Sequence, residues 1–202
     1  MNLIVLKCDW RQCKSSRTLA LPADWTLSEL HDALQAAFGW EYEHLYCFEA
    51  PDGTRWEEEA PYDDFMDFDE DADSLKPADT TLGEAFPREK ARLDYEYDFG
   101  DSNEVRLVRQ KDTEGDGPVC LKASGLMAEE DSAGVGYADG IAAILKAGPE
   151  DEEYADLADW LGIETDVDAK EWIADHTARA EDITRDLARI KPVRRKKKRA
   201  GK

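Results

Sequence analysis

Residues 93–108 read LDYEYDFGDSNEVRLV, and this stretch decides the fold of the chain. Large apolar side chains alternate with acids over its first half, and a period of two places them on one face of a strand. That face consists of Leu93, Tyr95, Tyr97 and Phe99. Gly100 supplies a turn with a positive φ, and Val105 and Leu107 resume the alternation. The pattern predicts an antiparallel hairpin that lies centrally in a sheet.

The length and composition favour one main domain with appendages. The chain has 202 residues, of which 42% are hydrophobic and six are Trp, and these are enough to close a core. We predict an α+β domain over residues 1–165, in which a mostly antiparallel sheet built from hairpins is covered by helices. A C-terminal amphipathic helix is predicted over 166–190, and a disordered basic tail over 191–202.

Turn signals predict two more hairpins. Residues 3–6 form a short apolar run and residues 18–21 alternate weakly, as the two strands of a first hairpin do. Residues 44–48 lead through a Pro-Asp-Gly turn into residues 54–56, which predicts a second hairpin.

Capping signals predict the helices. A capping box begins at Thr26, and Gly39 ends the helix that follows it. A second capping box at Thr81 begins a helix of one or two turns. Further helices are predicted over 137–148 and 149–162, each of which ends at a glycine.

Residues 169–190 carry the strongest helical signal. Apolar side chains recur at steps of three and four, with acids near the start and bases near the end. The apolar seam covers fewer than three heptads, so docking on the domain is favoured over a coiled-coil dimer. We expect a monomer or a weak homodimer.

The net charge of −21 is distributed unevenly. Residues 191–202 hold eight of the 26 basic residues and no acid, which leaves 18 basic and 47 acidic residues in 1–190, a balance of −29. Such a body repels phosphate backbones and membrane surfaces. The acidic run at 63–73 is interpreted as a solvated loop, with engagement of a basic partner as the alternative. The tail residues expected to contact nucleic acid or an acidic surface are Arg194, Arg195, Lys196, Lys197, Lys198 and Arg199.

The cysteines indicate a reducing environment. Cys8, Cys13, Cys47 and Cys120 show no Cys-x-x-Cys spacing, and no signal-like apolar segment precedes them, so we expect free thiols. No apolar run approaches the roughly 20 residues that span a bilayer. We therefore expect a cytoplasmic protein without membrane contact.

Several stretches together resemble a known bacterial family. They are LPADWTLSELH at 21–31, FGW at 38–40, HLYCF at 44–48, YDFGDS at 97–102 and EEDSAGVGY at 129–137. Over about residues 3–161 the chain is similar to an uncharacterised family named after the third open reading frame of an Ri plasmid. The resemblance implies an α+β fold with a mostly antiparallel sheet covered by helices. The motif residues are Trp40, His44, Tyr97, Asp98, Phe99, Gly100 and Asp101.

The chain departs from the family pattern at two places. Asn103 and Val105 stand where Trp and His usually follow the Gly-Asp-Ser, and Ser132 stands where the family has a loop cysteine. Of a cysteine set through which a relative could bind metal, this chain keeps only Cys120. We expect no cofactor.

Carboxylates near two turns provide an alternative. Asp98 and Asp101 flank the hairpin turn, and the loop that carries Glu130 and Asp131 could reach it. Convergent carboxylates supply the oxygen ligands that Mg²⁺ or Ca²⁺ prefers, and a bound metal could polarise a phosphoester. The favoured interpretation is turn chemistry, in which Asp and Ser side chains bond to nearby backbone N–H groups.

The histidines are candidates for proton transfer, because only His titrates near neutrality without perturbation. His31, His44 and His176 each lie among core-forming residues, however, which favours a hydrogen-bonded structural role. No Ser-His-Asp or Cys-His set, phosphate-binding glycine loop or zinc spacing accompanies them.

Segregated charge and the lack of a catalytic motif lead to one functional hypothesis. We expect a non-catalytic interaction module whose acidic body binds a basic protein partner and whose tail contacts nucleic acid or an acidic surface. The alternative hypothesis is a metal-dependent hydrolase that acts on a phosphoester through its clustered carboxylates.

Overall fold

The computed structural model describes residues 1–57, 75–130, 148, 152 and 155–192. Its strands are β1 (Asn2–Trp10), β2 (Ser15–Pro22), β3 (Tyr46–Glu49), β4 (Arg55–Glu57), β5 (Arg92–Tyr97), β6 (Asn103–Arg109), β7 (Thr113–Glu114) and β8 (Val119–Ser124). Its helices are α1 (Leu27–Phe38), α2 (Leu82–Ala85), α3 (Ala155–Trp160), α4 (Asp166–His176) and α5 (Ala180–Leu187), with a 3₁₀ helix at Pro77–Asp79. The prediction of an α+β fold is confirmed.

The strands form one sheet that is built from hairpins. Their order is β4-β3-β5-β6-β1-β2-β8, and β7 pairs with the start of β1. All the pairings between these strands are antiparallel. The hairpin of β5 and β6 lies in the middle of this order, with Leu93 opposite Leu107 and Tyr95 opposite Val105. The predicted central hairpin is therefore confirmed, as are the two other hairpins, β1–β2 and β3–β4.

The helix α1 packs on the sheet and is held at both ends by its own sequence. Thr26 and Glu29 form the predicted capping box, in which each side chain accepts a backbone N–H that the helix leaves unpaired. Gly39 ends the helix at a φ of 92°, a left-handed conformation that a glycine adopts without strain. Leu30 and Leu34 are fully buried in the core cluster that α1 shares with the sheet.

The turn of the central hairpin departs from the prediction. Asp98 and Ser102 have left-handed φ angles of 57° and 54°, whereas Gly100 is not among the positive-φ residues. Asp98 turns the chain away from the strand direction, so the period of two stops at Tyr97. As a result, Phe99 is 42% exposed rather than buried. The predictions that Phe99 faces the core and that Gly100 has a positive φ were wrong.

The prediction of one continuous helix over 169–190 was also wrong, because the chain forms two helices there, α4 and α5. The connection between them is extended and pairs with the segment that follows β8. Ala178 N–H donates to Gly125 O at 3.0 Å, and Met127 N–H donates to His176 O at 2.7 Å. These tertiary hydrogen bonds replace the helical ones that a continuous helix requires.

The two C-terminal helices have different neighbours. Ile183 and Leu187 of α5 are buried in the main core, where α5 packs on α1 and β8. α3 and α4 bury a small cluster of their own, formed by Ala158, Ile163 and Ala169. Docking on the domain, which the sequence favoured for this segment, is thus observed for α5.

Some predictions concern residues that the structure does not describe. The acidic loop at 63–73, the helix expected before Gly148 and the tail from residue 193 onward lie outside the described residues. Among the described strands, β7 and β8 were not predicted from the sequence. None of the four cysteines forms a disulfide, in line with the expected thiols, and all four are buried. No described helix combines the length and the apolar character that crossing a bilayer requires.

Candidate functional site

A cleft opens between α1 and the segment 40–46 that leads into β3. Its volume is about 310 Å³. Its lining residues are Ser28, His31, Asp32, Tyr42, His44, Leu45 and Tyr46. We call it the α1 cleft. Its helical wall is made of residues spaced by three and four, which a helix places on one face. The opposite wall supplies aromatic rings.

His31 lies in the buried part of the α1 cleft and is fixed on two sides. Its Nδ1 is hydrogen-bonded to the Tyr95 hydroxyl at 2.8 Å, and that hydroxyl also accepts from Gln35 Nε2 at 3.2 Å. Its ring stacks on Tyr46, with 3.6 Å between the ring centroids. Burial lowers the pKa of His31 to about 3, because a charged imidazole would lose its hydration. His31 is therefore neutral at pH 7 and has the contacts of a structural histidine.

Tyr42 forms the exposed wall of the α1 cleft. Its backbone has a φ of 65°, a left-handed conformation that is strained for an aromatic residue. This conformation is held by the Tyr42 N–H, which donates to Gln35 Oε1 at 2.9 Å. The Tyr42 and His31 rings make a T-shaped contact with 5.6 Å between their centroids, and Tyr42 is 54% exposed. Burial, and then the charge of Asp32, raise the pKa of the Tyr42 hydroxyl.

A second polar group of the α1 cleft is Ser28. Among the described residues its Oγ is buried and has no hydrogen-bond partner. Asp32 follows four positions later, on the same face of α1, and lines the cleft as well. The cleft therefore offers a hydroxyl and a carboxylate one helical turn apart.

The hairpin tip forms a polar centre beside the α1 cleft, with His44 between two carboxylates. His44 Nδ1 lies 3.7 Å from Asp98 Oδ1, and His44 Nε2 lies 3.5 Å from Glu130 Oε1. The Tyr97 hydroxyl donates to Glu130 Oε1 at 2.9 Å, and the Glu41 N–H donates to Glu130 Oε2 at 2.8 Å. Burial, followed by this bond to Glu130, raises the pKa of Tyr97. Glu130 thus joins its loop to the hairpin.

The structure places the predicted metal ligands as follows. Asp98 and Glu130 approach opposite nitrogens of His44, and Asp98 Oδ1 already accepts the Gly100 N–H at 2.9 Å. Asp131 lies outside the described residues. Asp101 is described, but neither it nor any other His, Cys, Asp or Glu within the described ranges belongs to a group of three or more that could hold a metal ion.

The other motif residues divide between core and surface. Trp40 is buried, with its ring 5.1 Å from the ring of Trp10 and 5.1 Å from that of Tyr97. Phe99 is at the surface, where the Arg55 guanidinium lies 5.9 Å from its ring centroid. The six tail residues expected to contact nucleic acid or an acidic surface, Arg194 to Arg199, lie outside the described residues.

Arg17 is a buried cation that was not predicted from the sequence. It is 1% exposed, and its guanidinium lies 4.7 Å from the Phe38 ring centroid. The backbone carbonyls that accept from it belong to Ser16, Ala37, Ser124 and Leu126. Burial lowers its pKa to about 10. The signal was present, because Arg17 has the same strand parity as Leu19 and Leu21, which point into the core.

Ser28, Asp32 and Tyr42 were missed as well. The spacing of Ser28, His31 and Asp32 on α1 indicates a shared polar edge, which was the available signal. No sequence signal places Tyr42 against that edge, because its left-handed backbone depends on a tertiary hydrogen bond to Gln35.

Comparison with known proteins agrees with this fold. The family model described as plasmid pRiA4b ORF-3-like protein matches residues 5–173. The chain is 33% identical over 153 residues to the protein described as uncharacterized protein y4hQ of Sinorhizobium fredii (strain NBRC 101917 / NGR234), and the match covers 72% of this chain and 73% of y4hQ. It is also similar to the crystal structure of MM3350, a protein of unknown function from Methanosarcina mazei Go1, with a TM-score of 0.64, 27% identity and coverage of 79% and 89% of the two chains. The resemblance seen in the sequence is confirmed: the chain belongs to the plasmid pRiA4b ORF-3-like protein family.

Proposed function

We propose that this protein is a non-catalytic interaction module whose acidic body binds a basic protein partner. The observation that carries the proposal is the separation of charge along the chain. Residues 1–190 hold 47 acidic and 18 basic residues, and the remaining twelve residues hold eight bases and no acid. A field of this sign and size attracts a basic partner from a distance and selects against acidic ones.

The surface around the α1 cleft supports this proposal. Tyr42 is 54% exposed and Leu45 is 45% exposed. The exposed Phe99 follows Asp98, whose N–H donates a hydrogen bond to Leu45 O, so Phe99 lies on a neighbouring segment. Glu41, also exposed, is next to Tyr42 in the chain. Apolar groups beside acids suit a partner that buries apolar side chains while its bases meet the carboxylates.

The tail is proposed to contact nucleic acid or an acidic surface. Its bases lie at Arg194, Arg195, Lys196, Lys197, Lys198 and Arg199, apart from the acids that repel phosphate in the body. We further propose a cytoplasmic location, since the four buried cysteines form no disulfides. The proposed state in solution is a monomer or a weak homodimer.

A pull-down from host lysate tests the proposal. The full-length protein is compared with a truncation after Ile190, over a salt gradient and with or without nuclease. We expect the truncation to retain a protein partner that resists nuclease and elutes as salt rises, because salt screens the acidic body. A variant in which the six tail bases are replaced by Gln controls for the loss of chain length.

Three results would count against the proposal. If every partner disappears on nuclease treatment, the body binds no protein and the tail is the active part. If the truncation and the Gln variant bind nucleic acid as well as the full-length protein does, the tail has no role. If no arm captures a partner, the interaction module is rejected and the alternative function is favoured.

The alternative is a metal-dependent hydrolase that acts on a phosphoester, with Mg²⁺ or Ca²⁺ held by Asp98, Asp101, Glu130 and Asp131. One observation favours it: Glu130 and Asp98 both come within 4 Å of the His44 ring, at 3.5 and 3.7 Å. Calorimetric titration with Mg²⁺, Mn²⁺ and Ca²⁺ tests it. Heat that vanishes in the double variant Asp98→Asn, Asp101→Asn would support it, and the absence of heat would eliminate it.

A further inference from the structure

We propose that the α1 cleft binds the guanidinium group of an arginine side chain carried by a basic peptide. This inference rests on the proposed function, because it names the place on the acidic body where a basic partner inserts a side chain. It is carried by three properties of the cleft: the sign of its charge, its aromatic wall and a buried hydroxyl without a partner.

The charge of the α1 cleft is negative. Asp32 contributes a carboxylate to the lining, and the exposed Glu41 and Glu43 flank Tyr42 along the chain. His31 contributes no positive charge at neutral pH, because burial holds its pKa at about 3. A cation that enters therefore gains Coulomb attraction, whereas an anion is repelled.

His44 does not reverse this charge. Its two ring nitrogens lie 3.7 Å from Asp98 and 3.5 Å from Glu130. A proton taken up by the imidazole is therefore matched by two carboxylates at its edge, and the group of three remains negative. The cleft and its border attract cations whether or not His44 is protonated.

The aromatic wall suits a planar cation. The Tyr42 ring stands at 84° to the His31 ring, and the Tyr46 ring stacks on that imidazole with 3.6 Å between the ring centroids. A guanidinium packs flat against an aromatic face more readily than an ammonium does. The strained φ of 65° at Tyr42 is maintained by the hydrogen bond to Gln35, which keeps the ring at the cleft mouth.

The polar groups of the α1 cleft match a forked donor. Ser28 Oγ is buried without a hydrogen-bond partner in the described part of the chain, although buried hydroxyls are usually paired. Asp32 lies one helical turn away on the same face. A guanidinium carries five N–H donors in a fixed plane and so can reach a carboxylate and a hydroxyl together, which a compact ammonium does less well. The cleft therefore selects arginine over lysine.

Fluorescence anisotropy with the full-length protein tests this proposal. The probes are fluorescein-labelled peptides of alternating Gly and Arg, the same peptide with Lys, and the same peptide with citrulline. We expect the Arg peptide to bind about fivefold more tightly than the Lys peptide, and the citrulline peptide to bind least, because it lacks the charge.

Variants of the α1 cleft locate the binding. Asp32→Asn and Tyr42→Asn should each weaken binding of the Arg peptide about tenfold, and Ser28→Ala about threefold. Asn is chosen at Tyr42 because it tolerates a left-handed backbone. The matched control is Asp116→Asn, which removes the same charge at an exposed position outside the cleft lining and should change affinity less than twofold. Unchanged urea midpoints show that the variants fold.

The outcomes separate this inference from the proposed function. If the cleft variants bind the Arg peptide as the wild type does, and binding still weakens with salt, the acidic body binds bases elsewhere and only the inference fails. If neither cationic peptide binds at low salt, the proposed function fails with it. If affinity appears only after Arg194, Arg195 and Arg199 are changed to Gln, the chain's own tail occupies the cleft, and the external peptide is the wrong occupant.

Discussion

Two polar centres of this molecule differ in their partners: Arg17 contacts backbone carbonyls, whereas His44 contacts side-chain carboxylates. Arg17 is 1% exposed, and its hydrogen bonds go to the backbone carbonyls of four residues. The His44 side chain is 30% exposed and faces the carboxylates of Asp98 and Glu130. Carbonyls fixed in paired strands and at a helix end neither titrate nor rotate, whereas carboxylate side chains do both. The first centre therefore holds the architecture together, and the second can adapt to a ligand.

The largest expected effect comes from breaking the Arg17 centre. Arg17→Met removes the donor from four carbonyls and should lower the free energy of unfolding by about 3 to 5 kcal/mol, since buried polar groups would be left unpaired. Urea unfolding followed by Trp fluorescence measures this. Arg55→Met is the matched control, because that side chain is 38% exposed and its surface ion pairs should contribute under about 1 kcal/mol. A loss below about 1 kcal/mol for Arg17→Met would contradict the structural role.

The second expected effect is a pH dependence that comes from His31. The pKa of His31 falls from 6.5 to about 3 on folding, so below pH 6.5 the unfolded chain binds a proton that the folded chain does not. The free energy of unfolding should therefore decrease as pH falls from 6.5 toward 3, by at most about 1.4 kcal/mol per pH unit from this residue. Above pH 6.5 the contribution is constant.

Urea unfolding at pH 6.5 and pH 5 tests the role of His31. The wild type should lose about 1 to 2 kcal/mol more than His31→Gln between these two values. Tyr95→Phe is the control, because it removes the hydroxyl bonded to His31 but keeps the buried imidazole, so the slope of the wild type should remain. Equal slopes for the wild type and His31→Gln would mean that the imidazole is not held neutral.

A smaller effect is expected from the hairpin-tip centre. Glu130→Ala removes the acceptor for the Tyr97 hydroxyl and the Glu41 N–H, and should lower the free energy of unfolding by about 1 kcal/mol. Hydrogen exchange at the Glu41 amide should accelerate, because the amide loses its partner. Glu129→Ala is the neighbouring control. Unchanged exchange at Glu41 would show that Glu130 does not anchor the loop.

The smallest effect is expected at Phe99. Phe99→Ser should change the free energy of unfolding by no more than about 0.5 kcal/mol, because Phe99 is 42% exposed. Tyr97→Ser, two residues earlier on the buried face, should cost about 3 kcal/mol or more. Thermal unfolding of the two variants measures the contrast. A similar loss for both would restore the alternation that the sequence predicted.

Residues whose contacts lie nearby in the chain were predicted well. The capping box of Thr26 and Glu29 and the stop at Gly39 join groups three to five residues apart, so the sequence shows all the partners. By contrast, Glu130 bonds to the Tyr97 hydroxyl across 33 positions of the chain, and that bond depends on how the loop packs against the hairpin. Such pairs carry no periodic signal.

The sequence by itself determined the strand faces as far as Tyr97, the caps of α1, the three hairpins and the separation of charge, because period, turn residues and composition act over a few neighbouring residues. Only the tertiary structure decided that the chain breaks the helix at Ala178, that Arg17 is buried among carbonyls, and that Tyr42 closes a cleft on α1. Each of these depends on a hydrogen bond or a packing contact to a distant segment. Such a contact exists only after the sheet has formed, and it overrides the local preference.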